Sequence, residues 1–278
     1  MQEGEEELTR IKECCQEAAM FFSNYDTPGP GIDPDAPRAK GWTRIWEMIS
    51  RDYRSFWLAG IVNVLTAFPF MFMIGYAYAT HSILIAVAAG ALCGMIAAPG
   101  FYGLSDTLLR SLRDEPGYWW HRYSKAVGNN WTKTIVPGML GGIIFSIQMF
   151  ILFHLQVLDG SLWLLISQII SMIVFMGILL WFLVQHALLE MPLTALLKNS
   201  ILLFFRYITK SLAAAGIALG YLILILLIFP GSVFLLITAC FWLPLLCSFQ
   251  IIYPTVDEIF GIEKKLSSRY NGLVKDKE

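Results

Sequence analysis

Charge is what this sequence has least of. Only 15% of its residues are Asp, Glu, Lys or Arg, where a soluble globular domain carries roughly 25%. The deficit is uneven: beyond Phe56, long apolar runs alternate with short polar breaks. Catalytic signatures are missing too. There is no G-x-S-x-G elbow, no H-E-x-x-H, no phosphate-binding P-loop and no dinucleotide fingerprint. The five cysteines include no C-x-x-C spacing, so neither a metal knuckle nor a disulfide framework is expected. A net charge of −1 without a basic, aromatic-laced patch excludes nucleic acid as an expected partner. The first residues are acidic (Glu3, Glu5, Glu6, Glu7) and no apolar core follows until Phe56, so no secretory signal is expected and the first span itself must direct insertion.

What is present is hydrophobic length. A bilayer core of about 30 Å needs roughly 20 apolar helical residues. The runs at 56–79, 83–105, 134–156, 162–186, 210–229 and 231–252 meet that requirement. The expected fold is therefore an all-α, polytopic bundle of about six transmembrane helices. Around it the sequence divides into an amphipathic helix at 1–26, a Pro/Gly-rich arm at 27–40, a membrane domain at 41–254 and a tail at 255–278. Residues 41–57 put Trp42, Ile45, Trp46, Ile49, Tyr53, Phe56 and Trp57 on one face and Arg44, Glu47, Arg51 and Arg54 on the other, an interfacial helix expected to run into the first span. Residues 118–131 and 190–209 hold further amphipathic pieces between spans.

Orientation follows from the basic residues, because cytoplasmic loops are enriched in Lys and Arg. With the N-terminus inside, seven precede the first span, five fall between spans two and three, three between spans four and five, and five follow span six, accounting for all 20. The outer connections (80–82, 158–160 and 230–231) hold none, and their one charge is Asp159. Both termini are thus expected in the cytoplasm.

Few polar groups lie at mid-span. Asn63 and Thr66 near Pro69, with Gln148, Gln168 and Gln185, form a candidate polar pocket, with ordinary inter-helix hydrogen bonding as the alternative. The inner rim is richer: Asp106 with Arg110, and His186 with Glu190, stand four apart, where helix side chains meet. With Arg113, Asp257 and Glu258 they form a candidate cytoplasmic docking surface or gate. His81 and His154 belong near the outer surface and His121 and His186 near the inner, so the four cannot share one metal. Small residues at Ala86, Gly90, Gly94 and Ala98, at Gly138 and Gly142, and at Gly216 and Gly220 suit close helix packing, or a homo-oligomer face. No cofactor is implied.

The arm from Pro28 to Gly41 (Pro-Gly-Pro-Gly-Ile-Asp-Pro-Asp-Ala-Pro-Arg-Ala-Lys-Gly), the aromatic-basic helix to Trp57, Asn63, Tyr102-Gly103-Leu104 and Asp114-Glu115-Pro116-Gly117 carry a resemblance. From about Phe21 to Phe260 the chain resembles the YesL-like family, bacterial integral membrane proteins defined by a domain of unknown function. The acidic helix at 1–20 departs from the family's usual form. Members are often encoded beside carbohydrate-utilisation genes, so the resemblance implies a bacterial cytoplasmic membrane and an accessory role in carbohydrate uptake, docking on ABC-type sugar transporter subunits. It supplies no site residues. The alternatives are an autonomous small-molecule transporter or channel, and an enzyme acting on a lipid or lipid-linked sugar at the inner rim, which would need Asp106, Glu190, Asp257 and Glu258 to converge.

Overall fold

A computed structural model of the chain describes residues 41–115, 118–155, 161–228 and 230–263. The acidic helix expected at 1–26, the arm at 27–40, Asp159 and the tail from 264 lie outside the described residues, as does the motif's Pro116-Gly117. The described residues form eight helices and no strand: α1 (Trp42–Ala79), α2 (Ile83–Leu112), α3 (Trp119–Phe153), α4 (Leu162–Leu188), α5 (Leu193–Arg206), α6 (Ile208–Leu227), α7 (Ser232–Thr238) and α8 (Trp242–Phe260). Five are long and apolar enough to cross a membrane, and six crossings result if α7 and α8 count as one. Large apolar side chains such as Leu65, Phe72, Trp163, Leu227 and Phe234 are exposed on the flanks. A bundle apolar outside as well as inside belongs in lipid.

The interfacial segment and first span are one helix of 38 residues, continuous through Pro69. The aromatic piece at 118–131 likewise runs without a break into the third span, giving α3 its 35 residues. Span six differs from the expected single helix. It is broken between α7 and α8 by a 61° bend. The cause is local: Cys240 takes a left-handed φ of 45°, a conformation that ends a helix, and its N–H turns back to Leu235 O. Gly60 of α1 fits against this break. A Cβ there would lie 2.8 Å from Cys240 Cβ and 3.0 Å from Trp242 Cδ1. The helical body also passes the expected boundary at 254: α8 reaches Phe260, with Thr255 and Val256 buried.

Helix α2 is central, packed along α1 and α3 and touching α4 and α8. The small-residue stripe explains its approach to α3: Gly94 and Gly142 meet backbone to backbone, and a Cβ on Gly94 would sit 2.5 Å from Gly138 O. By contrast a Cβ on Gly216 or Gly220 of α6 would meet nothing within 4 Å. The main core gathers Phe56, Leu104, Leu108, Trp181, Phe204, Phe249 and Ile252 from five helices. Trp181 is buried with its indole N–H donated to Ser211 Oγ at 2.8 Å, joining α4 to α6.

Candidate functional site

One end of the bundle carries a charged clamp. Arg44 and Arg51 stand seven apart on α1, so they share a helix face. Opposite them, α2 ends in a Schellman turn: Asp114 N–H bonds Ser111 O, and Glu115 N–H bonds Arg110 O, both at 3.1 Å. Asp114 takes the left-handed place usually given to glycine, with φ 57°; Asp tolerates it better than most residues. The turn aims its carboxylate at α1. Arg44 Nη2 lies 2.5 Å from Oδ2, and Arg51 Nη1 lies 2.5 Å from Oδ1. Burial alone would raise this carboxyl, but hydrogen bonds from Arg51 and Arg44 outweigh it and hold the pKa below the ordinary aspartate value. The same arginines bond the carbonyls that end α2, Arg44 to Leu112 O and Arg51 to Ser111 O.

Around this bridge five arginines and five carboxylates interlock. Arg110 donates to Asp106 Oδ2 at 2.7 Å and to Glu115 Oε2 at 2.9 Å. Arg113 and Arg122 flank the same Glu115 at 3.2 and 3.8 Å. Asp52 accepts from Arg51 and from the Ser111 hydroxyl, while Arg44 pairs with Glu47. A cleft of about 60 Å³ opens inside the frame, walled by α1 (Asp52, Phe56), α2 (Asp106, Arg110) and the start of α3 (Trp119, Arg122, Tyr123). A second groove, of about 810 Å³ and mostly apolar, lies between the beginning of α1 and α8, bordered by Trp42, Ile45, Ile251, Tyr253 and Ile217.

The expected gate residues come together only in part. Asp106, Arg110 and Arg113 belong to the clamp. His186 and Glu190 do not pair: α4 stops at Leu188 and Leu189 is extended, so the four-residue spacing no longer places them on one helix face. His186 instead stacks on Phe182 and meets the Tyr102 ring, and Glu190 is exposed. Asp257 closes the end of α8, accepting the Glu263 N–H at 2.8 Å, and Glu258 is exposed. Asp106, Glu190, Asp257 and Glu258 share no hydrogen bond or ion pair among the described residues. No three His, Cys, Asp or Glu side chains there are placed to hold a metal ion.

The five polar span residues do not form one pocket. Thr66 bonds back to Asn63 O at 2.9 Å beside Gly100 of α2, and the buried Asn63 amide has no partner among the described residues. Gln148 and Gln168 link α3 to α4 with Ser171. Gln185 bonds Ser200 Oγ at 3.0 Å, linking α4 to α5. Helix–helix hydrogen bonding accounts for the two glutamine clusters. At the opposite end of the bundle, His81 and His154 meet, Nδ1 to Nε2 at 2.9 Å. His154 Nδ1 faces Phe150 O at 2.9 Å, and since a carbonyl only accepts, Nδ1 carries a proton; with that ring neutral, Nε2 accepts from His81 Nδ1.

Arg44, Asp52, Glu115, Arg122 and Tyr123 belong to the site although none had been singled out for it. Their signal was present: arginines one heptad apart facing an Asp-Glu turn is a pattern for bracing two helices. Searches against protein-family models, curated proteins and solved structures find no match to this chain.

Proposed function

We propose that this chain is a non-enzymatic, multi-pass protein of the bacterial cytoplasmic membrane that docks on a membrane partner through its clamp end. The observation that carries the reading is the interlocked frame of five arginines and five carboxylates, concentrated on one end of an otherwise apolar bundle. A preassembled polar surface needs little reordering on association. The distribution of Lys and Arg supports placing that end, and both termini, in the cytoplasm. The resemblance to the YesL-like family points to a partner class: subunits of an ABC-type sugar transporter, with this chain accessory to carbohydrate uptake. An autonomous transporter has less in its favour, since its candidate lining residues fall into three separate clusters.

The test is co-purification from native membranes in mild detergent, followed by mass spectrometry. A transporter subunit should be retained by the native chain and lost on deleting residues 28–40 or reversing Arg122, which is part-exposed at the frame's edge. A tagged, folded protein that always emerges alone refutes the docking reading. Uptake by the purified protein alone in liposomes would instead establish the transporter.

A further inference from the structure

The cleft inside the clamp holds unused hydrogen-bonding capacity of both kinds. On one side, Asp106 and Asp52 each use a single oxygen, Oδ2, in their contacts. Their Oδ1 atoms have no hydrogen bond among the described residues and are open to the cleft, the Asp52 side chain being 29% exposed. On the other side, Trp119 Nε1 and the Tyr123 hydroxyl are buried with no partner among the described residues, and Tyr123 is 5% exposed. Buried polar groups are nearly always paired, so each exception calls for an occupant or a role. The open carboxylate lone pairs can take a donor. The idle N–H and O–H, beside the Arg122 guanidinium, call for an acceptor.

A carboxylate pair among aromatic rings suits a primary ammonium, which gives three N–H donors and is attracted to ring faces. Arg122 with two neutral donors suits an oxyanion. The volume limits what joins them. An open cleft of about 60 Å³ admits a small polar headgroup and excludes acyl chains. Its surroundings add a location. Tyr118 and Trp120, next to Trp119, are about half exposed, and amphipathic aromatics concentrate at the level of lipid headgroups.

We infer that the cleft takes a primary ammonium tethered to a phosphate, as in the headgroup of an ethanolamine phospholipid or in free phosphoethanolamine. The ammonium lies against Asp52 and Asp106, and the phosphate oxygens accept from Arg122, Trp119 Nε1 and the Tyr123 hydroxyl. A choline headgroup is refused because its quaternary nitrogen has no N–H for the aspartate lone pairs. This inference rests on the bilayer placement of the protein and not on the docking partner.

The experiment uses the full chain, purified in mild detergent, and counts bound lipid by native mass spectrometry after adding ethanolamine, choline or glycerol phospholipids of equal chain length. The ethanolamine lipid should be retained at least fivefold over the choline lipid. Asp106→Asn should abolish that preference. Tyr123→Phe should weaken retention several-fold without lowering the melting temperature, because its hydroxyl has no protein partner to lose; this variant keeps the test decisive if Asp106→Asn fails to fold. Free phosphoethanolamine, titrated separately by calorimetry, identifies the source: saturable binding without lipid preference assigns the soluble compound, and lipid preference alone assigns the bilayer. Equal retention of ethanolamine and choline lipids with no phosphoethanolamine binding overturns the site, as does an unchanged preference in a folded Asp106→Asn protein.

Discussion

Nη1 of Arg51 lies 2.5 Å from Oδ1 of Asp114, a contact spanning 63 positions of sequence. With Arg44 on the other oxygen, one residue in a left-handed turn ties two turns of α1 to the end of α2. Asp114→Asn keeps a residue that tolerates this backbone but leaves two guanidiniums facing each other without their anion. We expect a loss of about 2 kcal/mol, typical of hydrogen bonds to charged groups. Asp114→Gly relieves the backbone and removes the same bonds, so both variants should fall in melting temperature. Unchanged stability in both would show that the bridge does not brace the helices.

The same carboxylate gives a pH dependence with a defined sign. Its folded pKa lies below the reference value of 3.8. A depressed pKa stabilises the fold above the unfolded value, and that contribution disappears as pH falls through the folded one. Thermal melts should therefore weaken below about pH 4 through Asp114. The Asp114→Asn protein should show a correspondingly smaller acid loss.

Two glycine substitutions of the same chemistry should part company. Gly142→Ala places a Cβ against the Gly90 carbonyl and 2.9 Å from Gly94 Cα. Backbone cannot yield as a side-chain tip does, so α2 and α3 must separate, at a cost of about 1–3 kcal/mol. Gly216→Ala meets nothing within 4 Å and should be neutral or slightly stabilising. Unfolding of purified protein in mixed micelles, titrated with denaturing detergent, would order the two.

Ser211→Ala strands the indole N–H of Trp181 in the core, where its bond measures 2.8 Å. An orphaned buried donor costs about 1–3 kcal/mol. Trp181→Phe removes the donor but opens a cavity. The double variant should therefore be no worse than Trp181→Phe alone. Additive losses would contradict the pairing of these two residues.

The helices were legible because hydrophobic length is a one-dimensional property. The run from Trp42 into the first span, and α5 with its apolar and basic faces, follow from counting residues. The break at Cys240 was not legible, since a left-handed cysteine leaves no mark comparable to glycine. The paired charges divided on the same principle. Asp106 and Arg110 meet because both sit inside α2, whereas the His186 and Glu190 spacing means nothing once α4 has ended at Leu188. Contacts between distant segments, such as Arg51 with Asp114 or His81 with His154, depend on how the helices assemble and could not be read from local spacing.

The bent pair α7–α8 has a bearing on how often the chain changes sides. Gln250 on α8 donates to Gly41 O at 2.7 Å, and Asp257 and Glu263 border the same groove as Arg44. The end of α8 thus packs beside the start of α1. By length and composition five helices can cross a membrane, and a sixth crossing results if the kinked pair is one span.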